Sequence, residues 1–184
     1  SLRFCAQGTT ANVDHNNIYL DPAAYVMRAA QAKAEAVARA AGPETPDAVV
    51  LGSDTIVVLH EEHGPIILGK PASRDEALAM LLHLSGRTHT VYTGCCIIWL
   101  SARGESRTEL FYDAADVTFA EWPEDVLRAY AATGECDDKA GSYAIQGLGS
   151  FLVSGIKGQW ATIVGLPVLA VAQRLMEGGG IKAK

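Results

Sequence analysis

Ala48-Val-Val-Leu-Gly-Ser-Asp-Thr-Ile-Val-Val-Leu59 is the stretch on which the fold turns. Valine, isoleucine and leucine fill both of its halves, as in a buried strand, while Gly52-Ser-Asp-Thr55 interrupts it with small and polar residues. Downstream, a turn at His63-Gly64-Pro65 leads into Ile66-Ile-Leu-Gly-Lys-Pro71, a short antiparallel partner. Upstream lies a helix with Asp21 as its N-cap and Pro22 at its first position. It continues through alanine-rich sequence to Ala41, where Gly42 and Pro43 stop it.

Further along, Ser73 and Glu76 form a capping box for a second helix that Gly86 ends, with an apolar stripe through Ala77, Leu81 and Leu84. Two long strands are expected at Thr90–Leu100 and Arg107–Phe119, joined by Ser101-Ala-Arg-Gly-Glu-Ser106. A third helix runs from Pro123 to Gly134, with Glu124 and Asp125 complementing its dipole. Gly141–Gly149 reads as a glycine-spaced loop, Ser150–Ile156 as a strand and Leu166–Glu177 as a closing helix. There is no internal repeat and no interdomain linker. Together these elements predict one α/β domain over residues 1–184, with a central sheet flanked by helices.

Composition narrows the function. The 184 residues are 49% hydrophobic and 20% charged, as in a folded globular chain. A net charge of −6 disfavours binding to a nucleic-acid polymer, which calls for a basic face. No apolar run nears the roughly 20 residues of a membrane helix. Ser1-Leu-Arg-Phe-Cys5 is not ordered like a signal peptide and lacks an initiator Met, so a truncated, cytoplasmic enzyme or binding domain is expected. Cys5, Cys95, Cys96 and Cys136 contain no C-x-x-C pair, which argues against a zinc site or structural disulfide.

Polar residues in apolar settings mark candidate chemistry, because a buried charge needs compensation. Lys33 falls on the row Tyr25, Ala29, Lys33, Val37 of the first helix. It either snorkels from that stripe or aims an ammonium at an anion. Asp54 is a turn aspartate bonding its own backbone, or a metal ligand or general base, and Gly52 and Ser53 leave room for a close ligand or a bulge. Lys70, between Gly69 and Pro71, suits either a phosphate contact or an exposed loop. Arg87 offers phosphate a bidentate fork, whereas His89 reads as a structural histidine. In Asp138-Lys-Ala-Gly-Ser-Tyr-Ala-Ile-Gln-Gly-Leu-Gly149 the glycines allow close backbone approach, and Gln146 can read a base edge. This loop is not a P-loop, since Gly-Lys-Ser/Thr is absent. A polyphosphate carried with Mg²⁺ accounts for these cations and the carboxylate together.

In order, Gly52-Ser-Asp-Thr55, Leu68-Gly-Lys-Pro71, Ser85-Gly-Arg-Thr-His-Thr-Val-Tyr-Thr-Gly94, Asp138-Lys-Ala-Gly141, Ile145-Gln-Gly147 and Val164-Gly-Leu-Pro167 resemble the Maf family, the septum-formation-inhibitor-like nucleotide pyrophosphatases. The likeness runs from about Asp14 to the C-terminus. It implies a mixed-sheet α/β fold akin to the inosine triphosphate pyrophosphatases, a homodimer, and hydrolysis of nucleoside triphosphates between the α and β phosphates. Gln146-Gly147, where the 7-methyl-GTP branch has Glu-Gly, points to the dTTP/UTP branch. By the same resemblance Asp54 is general base or metal-binding carboxylate, with Mg²⁺ as the divalent cation and Mn²⁺ as second choice. Lys33 and Lys70 contact phosphates, Thr55 and Gln146 select the base, and Arg87, Thr93 and Lys139 complete the substrate contacts. Two departures accompany it: His15 stands where the family has glutamate, and the N-terminal strand with its Ser/Arg-rich phosphate loop is expected to precede this sequence. They motivate a rival reading, a non-catalytic nucleotide-binding regulator of cell division.

Overall fold

The computed structural model describes residues 2–4, 21–41, 47–101 and 106–181. His15, Cys5, the Gly42-Pro43 helix stop and residues 102–105 of the loop after Leu100 lie outside the described residues. Six strands form a mixed sheet: β1 (Leu2–Phe4), β2 (Val49–Glu61), β3 (Gly64–Leu68), β4 (Thr88–Leu100), β5 (Ser106–Phe119) and β6 (Val153–Lys157). Their order is β1-β2-β4-β5-β6, with β3 also paired to β2. β1, which the sequence reading did not mark, runs parallel to β2, while β2 with β3 and β5 with β6 are antiparallel. Among the described residues five α-helices accompany them: α1 (Pro22–Ala41), α2 (Arg74–Leu84), α3 (Glu124–Ala132), α4 (Trp160–Val164) and α5 (Val168–Glu177). The α/β class with a mixed sheet and flanking helices is the one expected.

The packing groups into two compact units. The first contains residues 1–54, 93–113 and 165–184, the second residues 55–92 and 114–164. β2 is continuous through Gly52-Ser-Asp-Thr55, where two strand halves around an interruption were expected.

In the first unit, side chains alternate between the two faces of β2 and β4. Val49, Leu51, Cys95 and Ile97 pack with Phe111 and with Val171 and Leu175 of α5. Val50, Cys96 and Ile98 pack on the other face, with Ala30 and Ala34 of α1. Asp21 caps α1 as expected, its carboxylate accepting the amides of Ala23 and Ala24. The deepest ridge of α1 is Val26, Ala30 and Ala34, with Lys33 alongside it rather than in its middle.

Two glycines set how closely α1 approaches. A Cβ on Gly52 would stand 2.4 Å from the Ala30 carbonyl oxygen, and one on Gly94 would stand 2.3 Å from the Val26 carbonyl carbon. The space at Gly52, read from sequence as room for a ligand, is therefore filled by a helix backbone. At Gly52, alanine on the helix and glycine on the strand are complementary answers to one steric demand.

In the second unit, α2 and α3 bury Leu81, Leu84 and Leu127 with Val57, Leu59, Val91, Val117 and Phe119. Ser73 caps α2 by accepting the Glu76 amide, while the Glu76 carboxylate accepts the amide of Ala72. The C-terminal third of the chain departs from the sequence reading. Leu148–Leu152 coils into a 3-10 turn, so β6 starts at Val153 rather than Ser150. One remote side chain, Glu135, accepts the amides of Leu148 and Gly149 at the start of this turn. α4 was not anticipated, and Pro167 caps α5 instead of lying inside it.

Cys95, Cys96 and Cys136 are free and buried. Burial pushes the thiols of Cys95 and Cys96 up to about 11.

Gly94→Ala should lower the stability of the chain by about 1–3 kcal/mol, because backbone must move to admit one methyl group. At this chain length that corresponds to a Tm fall of roughly 3–10 °C, measurable by circular dichroism.

Candidate active site

The burial of β2 is interrupted in mid-strand. Ser53, Asp54 and Thr55 are half-buried between two fully buried stretches of the strand. The close seating of α1 brings Lys33 to this opening. Its Nζ donates to Asp54 Oδ1 at 2.6 Å and to the Ser53 carbonyl oxygen at 3.3 Å. The side chains of Lys33 and Asp54 are 25% and 19% exposed, so the pair is shielded yet still reachable. Ser53 turns its hydroxyl the other way, donating to the Gly165 carbonyl at 2.7 Å. This ties β2 to the segment entering α5. The Tyr25 hydroxyl is held above its ordinary pKa, first by burial and then by the negative charge of Asp54. Thr93 belongs to the same unit, fully buried in β4.

The remaining candidates lie in the second unit. Thr55 is half-buried; Lys70 is exposed just beyond β3. The Gly141 amide donates to the Gly69 carbonyl at 3.0 Å, joining the glycine-rich loop to the Lys70 turn. Gly141 has φ +69°, and a Cβ there would reach 2.9 Å from Val57 Cγ2, so both backbone and space require glycine. Ser142 is also left-handed, at φ +61°, and is buried with its Oγ 3.0 Å from Met80 Sδ. Lys139 pairs with Asp138, and this bond, with a smaller contribution from Lys70, holds the Asp138 carboxyl below the usual range. Two ammonium groups thus share the field of one carboxylate.

Arg87 is engaged. Its guanidinium meets Glu61 Oε1 at 3.0 Å, and His83 Nε2 meets the same oxygen at 2.7 Å. The hydrogen bonds from His83 and then Arg87 hold the Glu61 carboxyl low. Gln146 is exposed on the glycine-rich loop. His89, as read from sequence, is structural: it is buried, bonded through Nε2 to the Tyr143 hydroxyl at 2.8 Å, and edge-on to Phe119 and Tyr143.

Among the described residues no three His, Cys, Asp or Glu side chains stand together as a metal cage. A lone carboxylate beside a cation nonetheless suits magnesium delivered on phosphate, since that ion keeps several waters and takes only one or two protein carboxylates. Sequence reasoning supplied Lys33 and Asp54 by residue type but not their pairing. It missed Glu61, Tyr130 and Glu135, none of which breaks its local pattern.

Burial lowers the His89 pKa to about 4 from an ordinary 6.5, against a weaker opposing effect of Asp116. Between those values the unfolded chain binds the extra proton, so stability should fall as pH drops from about 6.5 to about 4. The loss assignable to this ring is on the order of 3 kcal/mol. Urea unfolding across that range should show a flatter profile for His89→Gln than for the parent chain.

Comparison with known proteins agrees over nearly the whole sequence. Residues 2–178 match the model of the family described as Maf-like protein. The chain is 47% identical over 160 residues to a dTTP/UTP pyrophosphatase of Nitratidesulfovibrio vulgaris, covering 87% of this chain and 70% of that protein. It is 43% identical over 159 residues to a dTTP/UTP pyrophosphatase of Bacillus cereus, covering 86% and 76%. A protein of the same name from Moorella thermoacetica is 47% identical over 157 residues, covering 85% and 75%. With the ordered motifs lying on the strand, turns and loop described above, the chain belongs to the Maf-like protein family.

Proposed function

We propose that the chain is a nucleoside triphosphate pyrophosphatase acting on dTTP and UTP, giving the nucleoside monophosphate and pyrophosphate. Its relatives of known name carry this activity, and at 40–47% identity over most of the chain they support it here. The observation that carries the mechanistic reading is the half-buried Lys33–Asp54 pair at the mid-strand opening in the burial of β2.

In this reading water adds to the α phosphorus, the bond to the bridging oxygen breaks, and pyrophosphate leaves with that oxygen. Asp54 orients the water and accepts its proton, because a carboxylate holding one ammonium still has lone pairs for a second donor. Lys33 fixes the Asp54 rotamer and lends positive charge where phosphate oxygens crowd. Lys70 and Lys139 bind the phosphate tail, and Arg87 joins them on exchanging Glu61 for phosphate, a fork-to-oxyanion geometry that guanidinium favours. Thr55 and Gln146 read the pyrimidine, while Thr93, expected among the substrate contacts, is fully buried in β4. Asp54 would hold a magnesium ion, which would supply neutralisation of phosphate charge when bound, and manganese would be the alternative ion.

The protein is read as a cytoplasmic homodimer that takes no nucleic-acid polymer as partner. No described helix is long and apolar enough to cross a membrane.

Pyrophosphate release should be measured across a nucleotide panel with Mg²⁺, Mn²⁺ or chelator. Asp54→Asn should lower kcat for UTP by roughly 10²–10⁴-fold, the range for loss of a general base, and chelator should abolish turnover reversibly. Binding of UTP without product at any metal concentration would instead favour the non-catalytic regulator.

A further inference from the structure

The turn that presents Gln146 is held by two side chains outside the sequence motifs. The Tyr130 hydroxyl, at the end of α3, accepts the Ala144 amide at 3.0 Å and shares a hydrogen bond with Glu135. Glu135 Oε1 accepts the Leu148 amide at 2.8 Å, and Oε2 accepts the Gly149 amide at 2.9 Å. Residues 144 and 148–149, on either side of Gln146, are thus pinned to one linked pair. The intervening glycines fit this clamp. A Cβ on Gly147 would lie 1.9 Å from Glu135 Oε1, and one on Gly149 would lie 2.5 Å from the Tyr130 hydroxyl oxygen.

We infer that Glu135 and Tyr130 are positioning residues for base selection, fixing the turn so that Gln146 meets the pyrimidine edge in one geometry. This rests on the proposed pyrophosphatase reading. A glutamine amide offers a donor and an acceptor. Uracil places an N–H between two carbonyls, whereas cytosine places a bare ring nitrogen beside an amino group. Either edge can be matched by an amide free to turn over. Discrimination therefore requires the turn beneath it to be held. Carboxylate-to-amide bonds suit the task, being charge-assisted and short. The Glu135 carboxyl lies below the usual range: burial opposes this, but the amides of Gly149 and Leu148 and the Tyr130 hydroxyl outweigh it.

The test compares Tyr130→Phe, Glu135→Gln and Glu135→Ala with the parent chain, using steady-state kinetics on UTP and CTP. Amide hydrogen exchange at Leu148 and Gly149 is followed alongside. The expected result is a KM for UTP raised about tenfold with kcat within about twofold, corresponding to roughly 1.4 kcal/mol. The ratio of kcat/KM for UTP over CTP should narrow by a similar factor, and both amides should exchange faster. Glu135→Gln, which keeps one acceptor, should fall between the parent and Glu135→Ala. Tyr130→Phe keeps the ring packed and carries the test if the Glu135 variants fold poorly. An unchanged UTP/CTP ratio in folded variants, or losses confined to kcat and shared by both nucleotides, overturns the inference while leaving the pyrophosphatase reading intact. A parent chain inactive on every triphosphate overturns both.

Discussion

The near-contact between the backbone of α1 and the two glycines beneath it is the constraint from which the first unit follows. A helix resting on bare strand backbone lies closer than side chains would otherwise permit, with Ala30 and Ala34 facing Gly52 and the backbone of Val26 facing Gly94. That depth lets a lysine on the rim of the helix reach an aspartate on the strand by direct hydrogen bond. A side chain on either glycine would collide with the backbone of the helix that carries this lysine. The glycine of Gly-Ser-Asp-Thr thus serves the aspartate two residues later, without touching a ligand itself.

A parallel logic operates in the second unit. Gly141 and Ser142 take left-handed backbone, and the Gly141 amide bonds the carbonyl just before Lys70. The polar loop is therefore attached to the sheet through the turn that carries a proposed phosphate ligand. Strained backbone of this kind persists where the surroundings over-determine it, here through Val57 and Met80. Arg87 illustrates the opposite state, a candidate ligand occupied by an internal carboxylate that it must leave before taking phosphate.

Local signals were legible and remote ones were not. Asp21, Ser73 with Glu76, and Gly86 mark helix ends within a few residues of themselves, and the structure bears each out. Ser150–Leu152 was read as strand but belongs to the 3-10 turn Leu148–Leu152, whose first two amides are held by Glu135, a partner 13 and 14 residues away. Lys33 and Asp54 stood out as polar residues in apolar company. Their mutual bond, across 21 residues of chain, is a fact of helix placement that no spacing rule supplies. Gly52 shows the same limit: a missing side chain is visible in sequence, but what occupies the vacated space is not.

The adjacent cysteines of β4 carry a consequence for chemistry outside the proposed reaction. Neighbouring residues on an extended strand face opposite ways, and Cys95 and Cys96 pack into separate apolar layers. Each is buried and its thiol is pushed up to about 11, so the folded sheet offers peroxide or a disulfide exchanger little of the exposed thiolate that such chemistry attacks. The dipeptide therefore serves as packing for two apolar layers and presents no paired thiols to either face.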